Sequence, residues 1–385
     1  MEEKRSLFFD TGLIYFVVIA CFVGLRIFSS LVPVSDVVGN LLSVLIQVGF
    51  MLLIPFFMYK FMRKKQSVQV LKEFHIKKVN AKAILIAIGI GIIVYFLNLA
   101  VANFFNIFIF ATGYDPSFGM ASTSSATEYS WVAFMGDIII TAILPGICEE
   151  FCHRGLLVNG FKQIGPKRNI MLIGLLFGLM HLNIEHFFYA TIIGMFLTFL
   201  VYLTDSIIPS IIVHFLNNAI GLYLTFTQIN KLPFGDFSSN LQNALTGNPV
   251  TVFIGVILTI IILVGLLIFL TFMLLKQTRV NEFKLLAQKA FEKKQREMLL
   301  ESFDIDVEET NKEQGIVDAE ETQVVIGNET VVNGRRNVFV DFNFDKNNLL
   351  VFSKIKPTIK EKSFVFGTIF IGIFITISTL IWGIL

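Results

Sequence analysis

Residues 146–155 read GICEEFCHRG, and how this stretch is read decides the fold. Two adjacent glutamates, a histidine and an arginine stand where an apolar run, 131–152, is ending. A run of that length suits an α-helix crossing about 30 Å of hydrocarbon, where ionisable groups are rare, costly and usually functional. The rest of the chain says the run is such a helix. Of 385 residues, 55% are hydrophobic and 16% charged, and the mean hydropathy is +0.73, outside the range of soluble domains. Further apolar runs fall near 12–33, 38–59, 83–111, 169–184, 187–204, 207–228, 250–275 and 364–385. They are blocks of helix length, not the short alternating strands of a membrane barrel. The expected fold is therefore an all-α polytopic membrane protein of about nine spans. An eight-helix core occupies 1–275, a soluble segment 276–363, and one extra helix 364–385.

Charge sets the expected orientation. Lys60, Arg63, Lys64, Lys65, Lys72, Lys77, Lys78 and Lys82 crowd one connection, whereas GYDPSFGMASTSSATEYS, 113–130, has no lysine or arginine. Positively charged loops stay in the cytoplasm, so the first connection is expected inside and the second outside. Continuing the alternation places the N-terminus and 276–363 in the cytoplasm of a multi-pass cell-membrane protein. A formal net charge of +2, with basic residues spread between spans, gives no footprint for nucleic acid. Cys21, Cys148 and Cys152 are an odd number beside apolar runs and imply no disulfide framework. The first helix has no obvious small-residue cleavage site after it and is expected to be retained.

Residues 276–363 differ from the rest. A basic, helix-favouring stretch suited to anionic lipid is followed by an acidic one, 301–322, expected to be disordered. ETVVNGRRNVFVDFNF, 329–344, then reads as a hairpin turning at Asn333-Gly334. Partners expected from this organisation are membrane lipid, a membrane-bound peptide or protein substrate, and a protein bound through 276–363.

Four of the five histidines, His153, His181, His186 and His214, fall in the same third of the chain as Glu149 and Glu150. Residues four apart share a helix face, and three such pairs come from three spans: Glu150 with Arg154, Phe177 with His181, His214 with Asn218. Adjacent glutamates point about 100° apart, so they divide the work. Glu150 pairs with Arg154 at the cytoplasmic helix end, while Glu149, with only His153 near it in sequence, is the freer carboxylate. A carboxylate in an apolar site suits a general base. With His181 beside it, Glu149 could direct water at a peptide carbonyl, and His214 with the Asn218 amide could receive the negative oxygen.

In chain order, EEFCHR fits E-E-x-x-x-R, FGLMH fits F-x-x-x-H and HFLNN fits H-x-x-x-N. The set, within 131–228, resembles the CPBP family of intramembrane glutamic proteases, which includes type II CAAX prenyl endopeptidases and bacterial Abi-type proteins. The resemblance implies a metal-independent endopeptidase with no cofactor. In it Glu149 and His181 activate water, His214 and Asn218 form the oxyanion hole, and Glu150 and Arg154 support them. The Phe-, Ile- and Asn-rich composition favours a bacterial membrane.

Other readings compete. Glu150 and Arg154 form an ion pair that holds the bundle, and Phe177 and Asn217 are packing residues. His186 and Glu185 lie in a solvated outer turn, and Asp137 and Arg26 lack a partner in sequence. Cys148 and Cys152, one turn apart, raise a thiol nucleophile, and Glu149, His181 and His214 could ligate zinc, although no H-E-x-x-H is present. The whole chain could also be a silent scaffold working through 276–363, or a transporter relaying protons, which would call for repeat symmetry that the sequence does not show.

Overall fold

The computed structural model describes residues 6–114, 128–236, 253–278, 325–326, 329–330 and 357–384. Among them eight helices are long and apolar enough to cross a membrane: α1 Leu7–Leu31, α2 Asp36–Met62, α4 Ala81–Phe110, α5 Trp131–Ile164, α7 Ile184–Thr204, α8 Ile208–Ile229, α9 Phe253–Thr278 and α10 Ile359–Ile384. Two shorter helices are α3, Ser67–Glu73, and α6, Pro166–Met180. The chain is an all-α multi-pass membrane protein.

The fifth apolar run departs from a full span. Gly165, with φ of 87°, and Pro166 start α6, which ends at Met180 after 15 residues. It therefore reaches only about 22 Å, short of the membrane's 30 Å or so. Its end is set by HLN, 181–183: Leu182 takes a left-handed φ of 53°, and the Asn183 side chain caps α7 by accepting from the Glu185 and His186 amides at 2.7 and 3.3 Å. His181 thus sits at a turn inside the bundle. The fourth run departs in the other direction. Nothing in GLLVNGF breaks the helix, so α5 continues past 152 to Ile164, and the two glutamates lie within it, not at its end.

Two prolines reshape their helices. Pro55 and Pro145 have no N–H and crowd the preceding turn. The turns before them widen to π geometry at Leu45–Leu53 and Ile138–Ile143, with the Ile54 and Leu144 amides reaching back five residues to Gly49 and Ile139. Such π turns are frequent at functional sites.

Lipid is as apolar as a leucine core, so membrane helices associate through close packing and polar contacts. Small residues supply this between α6 and α7: a Cβ at Gly194 would lie 3.0 Å from Phe177 Cβ and 3.1 Å from Gly174 Cα. Ala83, Ile90, Leu197, Leu200, Val213 and Leu274 join α4, α7, α8 and α9. The ends are tied by hydrogen bonds. At one end, Ile207 N donates to His75 O at 3.0 Å, Ser206 Oγ to Lys77 O at 2.6 Å and Asn80 Nδ2 to Gln277 O at 3.0 Å. At the other, the Tyr129 amide donates to Asn230 Oδ1 at 3.2 Å.

Helix α10 belongs to the same compact unit as residues 1–278. Phe364 meets Phe9 edge-on and lies tilted against Phe16, with centroids 5.3 and 5.6 Å apart, and Leu380 packs on Ile109, Tyr114 and Ile184 at the other end. A second unit, Arg279–Val351, contains the described antiparallel pair β1 (Val325–Ile326) and β2 (Glu329–Thr330), with Val325 opposite Thr330. The expected turn at 333–334 and the acidic stretch 301–322 lie outside the described residues.

Candidate active site

Seven helices bring polar side chains to one cavity of about 440 Å³, whose wall includes Gln47 from α2, Asn98 from α4, Glu149 from α5, His181 from the end of α6 and His214, Asn217 and Asn218 from α8. All four residues that the sequence assigns to chemistry line it.

Glu150 and Arg154 lie beneath, both fully buried. Arg154 Nη1 donates to Glu150 Oε1 at 2.9 Å, and Nη2 to Gly194 O at 3.1 Å. The guanidinium also lies 4.4 Å from the Phe177 ring centroid, a cation–π contact. This corrects the helix-end ion pair of the sequence reading: an apolar α5 that runs on for 34 residues encloses the pair entirely. His214 Nδ1 donates to the same Glu150 oxygen at 2.9 Å, which fixes the ring and turns Nε2 toward Glu149, 4.0 Å from Oε2. With Nδ1–H committed, a neutral His214 ring accepts at Nε2 and a ring carrying both protons donates there.

His181 Nδ1 donates to Phe177 O at 2.9 Å, leaving Nε2 as its accepting nitrogen. The Phe177 ring meets the His153, His181 and His214 rings edge-on at 5.1, 5.1 and 5.6 Å. It therefore fixes the spacing of the imidazoles. Asn218 is held by a consequence of Pro145. With no N–H at 145, the Thr141 carbonyl loses its helical donor, and Asn218 Nδ2 donates to it at 3.1 Å. Asn98 Nδ2 donates to Asn217 Oδ1, and Asn217 Nδ2 to Asn218 Oδ1, each at 3.1 Å, so Asn217 links the amides of α4 and α8 as well as packing.

The freer carboxylate has a partner that the local sequence does not reveal. Gln47 Nε2 donates to Glu149 Oε1 at 2.9 Å, across 102 positions of chain. Its only sequence signal is an amide in an apolar run. His153 is directed elsewhere: Nδ1 donates to the Glu149 carbonyl at 2.9 Å, and Nε2 lies 3.0 Å from the Tyr15 hydroxyl. His186, expected in a solvated turn, is exposed and also lines the cavity, its ring 6.3 Å from His181. Arg26 also lines the cavity, and Asp137 accepts from the Tyr129 hydroxyl. Cys148 and Cys152 are buried free thiols away from the cavity wall. Among the described residues no three His, Cys, Asp or Glu side chains are grouped to hold a metal ion.

Compared with known families, residues 131–220 match the model described as Type II CAAX prenyl endopeptidase Rce1-like. No curated protein and no solved structure matches the chain significantly. The matched segment runs from the first residue of α5 to Ile220 in α8, and so contains Glu149, Glu150, Arg154, Phe177, His181, His214 and Asn218. Gln47, in α2, lies outside it. Over residues 131–220, about a quarter of its length, the chain is thus similar to the type II CAAX prenyl endopeptidases.

Proposed function

We propose that the chain is an intramembrane glutamic endopeptidase, cleaving peptide bonds of membrane-associated or lipidated peptides and proteins without a metal. The observation that carries the reading is the convergence of Glu149, His181, His214 and Asn218 from α5, α6 and α8 on one partly polar cavity. Glu149, with His181, takes a proton from water as the water oxygen bonds to the scissile carbonyl carbon. The carbonyl electrons move to oxygen, and the resulting anion is met by Nε2–H of a His214 ring carrying both protons and by the Asn218 amide proton that is not given to Thr141. The carbon–nitrogen bond then breaks, and the proton held by Glu149 passes to the departing amine. Glu150 and Arg154 keep His214 oriented. The basic end of the bundle faces the cytoplasm, and a bacterial plasma membrane fits the composition.

Comparative peptidomics of membranes from cells carrying wild type and Glu149→Gln tests this. Peptides released by wild type are expected to vanish in the variant at equal protein level, and an unchanged peptide pattern refutes the assignment. Cleavage by purified protein should also persist in EDTA and in 1,10-phenanthroline. Loss restored by zinc would replace the water–carboxylate mechanism with a metal-bound one.

A further inference from the structure

Gln47 is a polar side chain in an apolar membrane helix, a placement that costs free energy unless both ends of its amide are satisfied. One end is: Nε2 donates to Glu149 Oε1 at 2.9 Å. The other end, Oε1, is buried without a hydrogen-bond partner among the described residues, on a side chain that lines the same cavity. Exchanging the amide's oxygen and nitrogen would set an acceptor against the carboxylate, so the observed orientation is the favourable one. The π turn at Leu45–Leu53, formed ahead of Pro55, carries this residue. Glu149 Oε2 and Gln47 Oε1 are thereby the two remaining acceptors of side chains that one hydrogen bond joins across two helices at the cavity. A water molecule has two O–H donors, one for each.

We propose that Gln47 is a positioning residue for the hydrolytic water. Its N–H fixes Glu149 Oε1, so that Oε2 takes one water proton, and its carbonyl shares the second O–H with His181 Nε2. The lone pair of the water is then aimed at the substrate carbonyl. Only the proton bound for Glu149 is transferred; the other stays on the attacking oxygen, still hydrogen-bonded to Gln47. This rests on the reading of Glu149 as the base, and it brings α2, outside the matched segment, into the site.

The test compares wild type, Gln47→Leu, Gln47→Asn and Glu149→Gln. First, membrane peptidomes are compared. Next, kcat and KM are measured on a synthetic copy of the peptide most depleted in Glu149→Gln membranes, alongside the melting temperature of each purified variant. Gln47→Leu is expected to lower kcat about 100-fold, the scale of a misplaced reacting group, with KM within about twofold and no fall in melting temperature. Gln47→Asn, which keeps the amide one carbon short, should retain more activity than Leu; if the Leu variant does not accumulate, the Asn variant must still show a lowered kcat with KM held. Wild-type kcat in Gln47→Leu beside an inactive Glu149→Gln overturns the inference and leaves the endopeptidase reading standing. A lower melting temperature with kcat intact, or an effect on KM alone, also overturns it. An active Glu149→Gln removes both.

Discussion

Among the residues of the site, Arg154 shows how charge is tolerated in this bundle. It and Glu150 are wholly enclosed, with His214 Nδ1, Gly194 O and the Phe177 ring supplying the remaining interactions. Removing one member of such a pair strands the other charge in a low-dielectric interior, which costs more than the pair contributes. Arg154→Met should therefore destabilise the protein by about 3–5 kcal/mol, read as a fall in thermal midpoint in detergent. The double change Glu150→Gln with Arg154→Met should cost less than the Arg154 change alone. Equal losses would mean that the pair is not electrostatically coupled.

Among the elements, α5 is decided by one proline. Pro145 leaves the Thr141 carbonyl without its helical donor, and the Asn218 amide fills the gap at 3.1 Å. Restoring the donor with Pro145→Ala should straighten the helix, raise or preserve the melting temperature and free Asn218 from its anchor. Cleavage is then expected to fall about 10-fold or more, the low end of what a misplaced transition-state donor costs. Activity equal to wild type would show that Asn218 needs no anchor. The short α6 works in the same direction: ending after 15 residues, it leaves the His181 turn at the cavity.

For the whole molecule, every residue assigned to chemistry lies in the unit formed by residues 1–278 and 352–385. Helix α10 packs in that unit against α1 at one end and against the α4 and α7 cluster at the other. Replacing 281–350 by a flexible linker should preserve cleavage of the membrane peptides that depend on Glu149, measured by the same peptidomics. Loss of the cellular phenotype with cleavage intact would instead assign a partner-binding role to 276–363.

Composition and run length determine, with no coordinates, that the chain is a helical membrane protein, because hydrocarbon accepts only segments that satisfy their own backbone. Four-residue spacing likewise shows which side chains share a face, as in Glu150 with Arg154. Helix periodicity carries no information about depth or long-range partners. Nothing near Glu149 announces Gln47, 102 positions earlier, and nothing in HLNIEH says that the turn borders the cavity. Those outcomes depend on how far a short α6 reaches and on which wall α2 presents after its π turn, and these are fixed only when the helices pack against one another.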